Sequence, residues 1–314
     1  MTNIQPEFPL VWDSTLRGAY VSCPMKFFWE FMRKLGPNVT SVHLHFGAAI
    51  AAGLEVSRYR FYADNYSQED AVAAGLVTLM QEWGDYEDNH DLKSFANCVA
   101  AYTAYCDEYP FGSDHIQPYF KDDGTPAVEF SFAIPIPEVL HPVTGEPLIY
   151  AGRFDMLGVY NSQLFIVDEK TTGQLGNSWL RNWDLRAQFT GYCWAAQEYG
   201  LPVAGAVVRG IAPRKNGSVD FAQAITYRPE HLISTWRQQL GRDLQRAVQN
   251  FKDGYWDVNF DSTCASYGGC QYKMLCESPE PEAWIPGYFK ERTWNPLLKD
   301  PLVENLEPKD GILL

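Results

Sequence analysis

Two carboxylates and a lysine lie close together in the middle of the sequence. Asp155 ends the segment GRFD, and Asp168 and Lys170 belong to IVDEKTT. Both segments read as β-strands, along which side chains alternate, so Asp168 and Lys170 share one face while Glu169 points away. Carboxylate oxygens suit hard cations such as Mg²⁺ or Mn²⁺. We therefore predict a divalent-metal site at Asp155 and Asp168, with the Glu169 carbonyl as a further ligand.

The chemistry expected of such a site is hydrolysis of a phosphate ester. A metal ion held there would lower the pKa of a bound water and stabilise charge developing on phosphorus. Lys170 could orient that water or neutralise the phosphate. The D-x-K spacing alone is weak evidence, because an exposed strand with an ordinary Asp–Lys ion pair shows the same pattern. The apolar residues 164–167 favour a buried strand, where stray charge is costly.

Four of the seven cysteines are placed like ligands of a metal or a cluster. Cys23 lies near the N-terminus, and three others follow near the C-terminus, with five residues between neighbours: Cys264, Cys270 and Cys276. Four thiolates can hold a [4Fe–4S] cluster or Zn²⁺. The C-x-x-C pairs of a zinc ribbon are absent, which favours the cluster. The remaining cysteines lie in predicted helices and are interpreted as core residues: Cys98, Cys106 and Cys193.

Composition narrows the class of protein further. The 314 residues are 46% hydrophobic and 20% charged, which suits a folded chain with a sizeable core. The net charge of −14 argues against sequence-independent coating of nucleic acid, because phosphate binding draws on Lys and Arg. No run of 18 apolar residues occurs, and the N-terminus lacks the features of a signal peptide. We expect a cytoplasmic protein that does not span a membrane.

The apolar periodicity predicts the elements that carry these residues. Helices are expected over 14–35 (opened by Ser14 or Thr15 and interrupted near Cys23), 47–60, parts of 66–110, 178–199 and 229–252. Strands are expected over 127–134, 148–160, 164–170, 203–212 and 220–227, with a hairpin turn at 161–163. This order predicts an α/β fold, with a mixed sheet flanked by helices and an irregular segment after Cys264.

These segments resemble the motifs of the RecB-like branch of the PD-(D/E)xK nuclease superfamily. IVDEKTT resembles its D-x-K-T segment, and GRFD resembles the preceding G-x-x-D strand. Gln188 and Tyr192 resemble the downstream Q-x-x-x-Y motif, whose side chains support the active site and contact DNA in that family. AVEFSFAI resembles a strand that carries a glutamate of the same cleft, here Glu129.

One motif departs from the family pattern. LHFGAAIAAGLE resembles the G-x-x-x-H-x-x-x-E helix, with Gly47 and Glu55 in place, but Ala51 occupies the position of the histidine. That histidine is normally a metal ligand. His43 and His45 lie just upstream and are alternative nitrogen donors. The departure favours a second interpretation, in which the chain is a catalytically inactive, nuclease-derived DNA-binding or accessory protein.

The cysteine pattern resembles that of iron–sulfur nucleases, namely the CRISPR-associated RecB-like exonucleases and the AddB-type repair subunits. The resemblance implies a [4Fe–4S] cluster on Cys23 and the late cysteines, which would staple the two chain ends together. Zn²⁺ is the alternative, and with it a third interpretation: a zinc-stapled structural protein.

Taken together, the resemblance implies a metal-dependent deoxyribonuclease, an exonuclease on DNA ends or single strands. Phage or CRISPR-associated repair and recombination are its expected setting, and protein partners and homo-oligomers are left open. The expected organisation is a single nuclease domain over 1–314. Its parts are a helical insertion over 61–126, a catalytic core over 127–255, and a cysteine-bearing segment over 256–314 that packs against 14–35.

Overall fold

A mixed β-sheet forms the centre of the computed structural model, which describes residues 6–38, 41–87, 90–260, 262–265 and 269–297. Within these ranges seven strands form one sheet: β1 (Val11–Trp12), β3 (Gln117–Pro118), β4 (Val128–Leu140), β5 (Pro147–Tyr160), β6 (Gln163–Thr171), β7 (Val203–Pro213) and β8 (Val219–Tyr227). A separate pair joins β2 (Leu35–Pro37) to β9 (Phe289–Glu291). The predicted α/β fold with a mixed sheet is confirmed.

Strand β5 is the hub of the sheet, and its neighbours change along its length. Met156 pairs with both β4 and β6, so these two strands lie on opposite edges of β5. Ile149 and Tyr150 pair with both β4 and β1, so β1 lies on the same edge as β6. Residues 151–155 therefore face a gap between β1 and β6.

The connection from β5 to β6 is the predicted hairpin. Asn161 and Ser162 have φ angles of 47° and 61°, as the two central residues of a type I′ turn require. β6 then pairs in parallel with β7, and a parallel pair needs a crossover, which helices supply here.

Helices cover both faces of the sheet. They are α1 (Ser14–Ser22), α2 (Pro24–Phe27), α3 (Val42–Tyr62), α4 (Gln68–Trp83), α5 (Phe95–Glu108), α6 (Asn177–Arg181), α7 (Ala187–Glu198), α8 (Glu230–Asp253), α9 (Lys273–Glu277) and α10 (Ile285–Tyr288). The helices α1, α7 and α8 share one apolar core with the sheet. The helices α3, α4 and α5 share another on the opposite face. No helix in the described ranges is long and apolar enough to cross a membrane.

Two predicted helices differ from those observed. The segment 178–199 is not one helix, because residues 182–186 form a turn between α6 and α7. Arg228 fixes that turn by donating to the Trp183 carbonyl at 2.6 Å. The helix expected over 14–35 is interrupted at Cys23, as predicted, because the backbone there is extended. It continues as α2 and a π-helical turn over Phe28–Met32 and so ends at Met32. Its cap is Asp13, whose carboxylate accepts from two backbone amides, rather than Ser14 or Thr15.

The C-terminal segment packs against the N-terminal one. Tyr272 is buried, donates to the Leu35 carbonyl at 2.6 Å and stacks on Phe289. Arg33 also pairs with Glu282 at 2.6 Å. Residues 298–314 of the predicted C-terminal segment lie outside the described residues.

Gly75 allows α3 and α4 to pack closely. A Cβ there would overlap the Ser57 hydroxyl, the Gly53 carbonyl and the Tyr102 hydroxyl. We expect Gly75→Ala to lower the free energy of unfolding by about 1–3 kcal/mol, because overpacking a close contact forces neighbours to shift. Denaturant unfolding measures the effect. Gly18→Ala is the control, since a Cβ at Gly18 meets nothing within 4 Å. Equal losses in both variants would contradict the packing argument.

Candidate active site

The site forms where two neighbouring strands separate. β5 and β6 pair only up to Met156 and Val167, whereas β6 continues beside β7 to Thr171. Asp155 and Asp168 are the next residues after that last pair. The two carboxylates predicted from sequence therefore meet at the opening of the strand pair.

A cavity of about 510 Å³ lies at this opening, between α3 and β6. One side is charged and carries Asp155, Asp168, Lys170 and, from β4, Glu129. The wall formed by α3 is mostly apolar and consists of His43, Leu44, Gly47, Ala48, Ile50, Ala51, Leu54 and Arg58. A ligand in the cavity would thus meet carboxylates and Lys170 on one side, and mostly apolar groups together with His43 and Arg58 on the other.

Lys170 and Asp168 lie side by side on the face that α7 covers. The Lys170 ammonium is 2.5 Å from an Asp168 carboxylate oxygen and 5.8 Å from the centroid of the Phe189 ring on α7. Glu169 points to the opposite face, where Arg58 and Tyr105 donate to its carboxylate at 2.5 Å and 2.6 Å. The Glu169 side chain is therefore engaged outside the Asp168–Lys170 pair, and only its backbone carbonyl is left for the predicted metal contact.

Burial raises the pKa values of three carboxyl groups at the cavity. For Glu129 the pKa is well above its usual value, with Asp155 as the next cause after burial. Burial and the nearby Glu169 carboxylate raise the pKa of Asp155. Burial raises the pKa of Asp168 to about 7, although the neighbouring Lys170 acts to lower it. Negative charge is thus costly at this place, and a bound cation would relieve that cost.

The backbone of Glu129 has an unusual conformation. Its φ angle is 56°, in the left-handed region that few non-glycine residues adopt. Val128 and Phe130 pair with β5 on either side of it, while Glu129 itself is skipped. This irregularity in β4 accompanies the placement of the Glu129 side chain in the cavity.

Arg153 was not identified from the sequence, yet it connects two carboxylates at the site. Its Nε atom lies 2.9 Å from Glu129, and its Nη1 atom donates to Glu55 at 3.1 Å. It therefore links β5 to β4 and α3. The sequence did offer one signal for Arg153: it lies in GRFD two residues before Asp155, and so on the same face of β5.

Gln188 and Tyr192 lie one turn apart on α7. The Gln188 amide donates to the Tyr192 hydroxyl at 3.1 Å, and Gln188 lines the cavity. The Tyr192 ring is buried, packs on Phe154 at 5.2 Å and crosses close above Gly152, where a Cβ would also overlap Phe132. Tyr192 thus orients Gln188 through their hydrogen bond, and its own ring packs in the core beside the cavity.

The helix α3 places Ala51 at the cavity, where the family pattern has a histidine. Ala51 is exposed and lines the cavity, as do Gly47 and His43. His45 packs instead on Tyr86, with ring centroids 4.1 Å apart, and binds the carbonyl of Trp83. Of the two upstream histidines considered as substitutes, His43 reaches the cavity and His45 is turned away from it.

The donor atoms on the charged side of the cavity are of the kind that hard divalent cations bind. They are carboxylate oxygens, which Mg²⁺ and Mn²⁺ prefer. Among the described residues, no group of three or more His, Cys, Asp or Glu side chains forms a complete metal-binding set. Mg²⁺ commonly needs only one or two carboxylates, because water and substrate phosphate supply the rest. Asp155 and Asp168 therefore fit the requirement without a full protein cage.

The four cysteines predicted as cluster ligands line a second cavity, of about 200 Å³. The Cys23 sulfur accepts from the Asn259 amide at 3.5 Å, and Cys264 contacts the Asn259 carbonyl at 3.0 Å. Burial raises the pKa of Cys270 and raises that of Cys276 to about 11. The structure thus gathers these cysteines, although within its described ranges they too form no complete metal-binding set. Residues 266–268, between two of them, lie outside those ranges.

The mixed sheet thus places carboxylates and a lysine at an open cavity, an arrangement whose chemistry suits a divalent cation and an anionic ligand. The sequence matches the family model of the PD-(D/E)XK nuclease superfamily over residues 18–277, and the chain belongs to that superfamily. Its members are generally nucleases, hydrolases that act on nucleic acid and usually use Mg²⁺ or Mn²⁺.

The other comparisons are less informative. No curated protein sequence matches the chain significantly. Nine chains of known structure match, among them the one described as "Crystal structure of SSO0001". That match has a TM-score of 0.31 and 10% sequence identity, and it covers 74% of this chain and 95% of the other. At this TM-score the likeness adds nothing to the family assignment.

The raised pKa of Asp155 leads to a stability prediction. A carboxyl group with a raised folded-state pKa destabilises the fold at neutral pH, where it is ionised. We expect Asp155→Asn to raise the free energy of unfolding in EDTA, because the neutral amide avoids the cost of burying a negative charge. Denaturant unfolding with and without Mn²⁺ measures this, and Mn²⁺ should stabilise the unsubstituted protein more than the variant. The exposed Asp85→Asn serves as control, and a loss of stability in Asp155→Asn would contradict the charge argument.

Proposed function

We propose that this protein is a metal-dependent DNA nuclease that acts as an exonuclease on DNA ends or single strands. The observation that supports it most is the meeting of Asp155, Asp168 and Lys170 in one cavity, in a chain of the PD-(D/E)XK nuclease superfamily. A nucleic acid substrate follows from the superfamily. The choice of DNA, and of its ends or single strands, is our proposal.

Each residue of the site has a proposed role. Asp155 and Asp168 would hold Mg²⁺ or Mn²⁺, together with the carbonyl of Glu169. When bound, the ion supplies a Lewis acid and positive charge close to the scissile phosphate. Lys170 would exchange its contact with Asp168 for the attacking water or a phosphate oxygen, and so stabilise developing negative charge. Gln188, supported by Tyr192, would donate a hydrogen bond to the bound strand.

The cysteine cavity has a proposed structural role. Cys23, Cys264, Cys270 and Cys276 would hold a [4Fe–4S] cluster, with Zn²⁺ as the alternative. Thiols become good ligands only as thiolates, a form that a bound metal favours. The cluster would join the N-terminal segment to the segment after α8 and so restrain both ends of the chain.

A second function is favoured by Ala51. Without a nitrogen ligand at that position, the cation would rest on fewer protein donors and bind less tightly. The chain would then be a nuclease-derived protein that binds DNA without cleaving it. The two functions differ in one measurable property, namely cleavage that depends on metal.

The proposed nuclease is tested with end-labelled single- and double-stranded DNA in Mg²⁺, Mn²⁺ or EDTA. We expect degradation with metal and none in EDTA. Lys170→Met and Asp168→Asn should each lower kcat by roughly 100-fold or more, because each removes charge that acts at the reacting phosphate. Lys252→Met, an exposed change on α8, should leave the rate unchanged. DNA binding without cleavage by the unsubstituted protein would instead support the inactive DNA-binding function.

The cluster is tested on protein purified without oxygen. Iron and sulfide analysis with visible absorption should show a cluster, and Cys270→Ser should lose it. Cys193→Ala, on the buried face of α7, should keep it. Loss of the cluster should lower thermal stability by several degrees, since a staple between distant segments is removed. If the analysis finds zinc without iron, the four cysteines hold Zn²⁺ in place of a cluster. If the protein also fails to bind DNA, the interpretation as a purely structural protein is supported.

A further inference from the structure

A buried ion pair lies directly behind the Asp168–Lys170 pair. Arg58 on α3 donates two hydrogen bonds to Glu169, at 2.5 Å and 3.0 Å. The side chains are 3% and 7% exposed, so water does not compete for this contact. Glu169 stands between Asp168 and Lys170 in the sequence. The contact that fixes the Glu169 side chain therefore also restrains the backbone that carries Asp168 and Lys170.

The ion pair belongs to a larger polar cluster. Tyr105 on α5 donates to Glu169 at 2.6 Å and also accepts from Arg58 and from Arg209 on β7. Arg209 pairs in turn with Asp114 at 2.7 Å. This cluster ties β6 to two helices and to the neighbouring strand, all on the face opposite Lys170.

The Arg58–Glu169 ion pair lies where β6 has lost one of its two neighbouring strands. Beyond Val167, β6 has left β5 and keeps β7 as a strand neighbour. Arg58 belongs to the same helix as the apolar cavity wall and itself lines the cavity. We propose that Arg58 is a positioning residue, whose pair with Glu169 holds β6 at a fixed distance from α3 and so sets the places of Asp168 and Lys170. This inference rests on the proposed nuclease function.

Stability alone does not account for such a pair. Two charges lose their hydration on burial, and replacing a buried ion pair by apolar residues is often neutral or stabilising. Groups that orient the residues contacting a metal or substrate, by contrast, commonly affect activity strongly when they are replaced. Arg58 and Glu169 have the geometry of such groups, because a two-fold hydrogen bond fixes orientation as well as distance.

The test compares two buried ion pairs. Arg58→Met with Glu169→Leu removes the pair at the site without leaving an unpaired charge. Arg17→Met with Asp243→Leu removes the pair between α1 and α8, which is 2.8 Å long and whose side chains are 9% and 14% exposed. Each double variant is assayed for global stability, for kcat and KM on the best DNA substrate, and for amide hydrogen exchange at residues 168–171.

We expect the variant at the site to keep most of its stability, to lose roughly 10- to 100-fold in kcat with little change in KM, and to exchange faster at residues 168–171. Arg58→Lys should recover part of the rate. The control should match the unsubstituted protein in kcat and in exchange at those residues. Unchanged kcat and exchange in the variant at the site would overturn the inference. If the unsubstituted protein cleaves nothing, the nuclease function fails and hydrogen exchange alone decides the role of Arg58.

Discussion

The site depends on the point at which β5 and β6 stop pairing. Up to Met156 and Val167 the strands form an ordinary hairpin, and beyond it their edges part while β6 stays beside β7. The two strands leave a gap beyond this last pair. Asp155 on β5 and Asp168 on β6 line the gap from its two sides, and α3 packs over it. Cavity, carboxylates and lysine all follow from this one interruption of the sheet.

Charge balance is the second condition for such a site. Three cations pair with four carboxylates: Lys170 with Asp168, Arg153 with Glu129 and Glu55, and Arg58 with Glu169. Asp155 lies near all three cations, yet burial and Glu169 still raise its pKa. These three cations therefore offset part of the negative charge of the five carboxylates, in a chain whose net charge is −14. The remaining excess is concentrated where a metal ion would bind.

Local sequence patterns predicted the strands of the sheet and the residues of the site. Features that depend on contacts between residues far apart in the sequence were not predicted. Strand alternation predicted that Asp168 and Lys170 share a face, and the turn residues predicted the hairpin. Arg153 and Arg58 were missed, because their partners lie 98 and 111 residues away in the sequence. The turn between α6 and α7 was missed for the same reason, since Arg228 fixes it from 45 residues away. The metal roles of the site residues and the cluster stay predictions.

The pairing of β2 with β9 has a consequence for synthesis of the protein. Leu35 cannot pair with Glu291 until residues 36–291 have left the ribosome, and the cysteines after position 263 emerge only shortly before Glu291. The strands and helices of the central sheet emerge earlier and can fold first, because domains begin to fold from their N-terminal parts during synthesis. Trp29 and Leu35, which pack on residues of the segment 272–289, must therefore wait until that segment has been synthesised. Pairing of β2 with β9 then follows the folding of the central sheet.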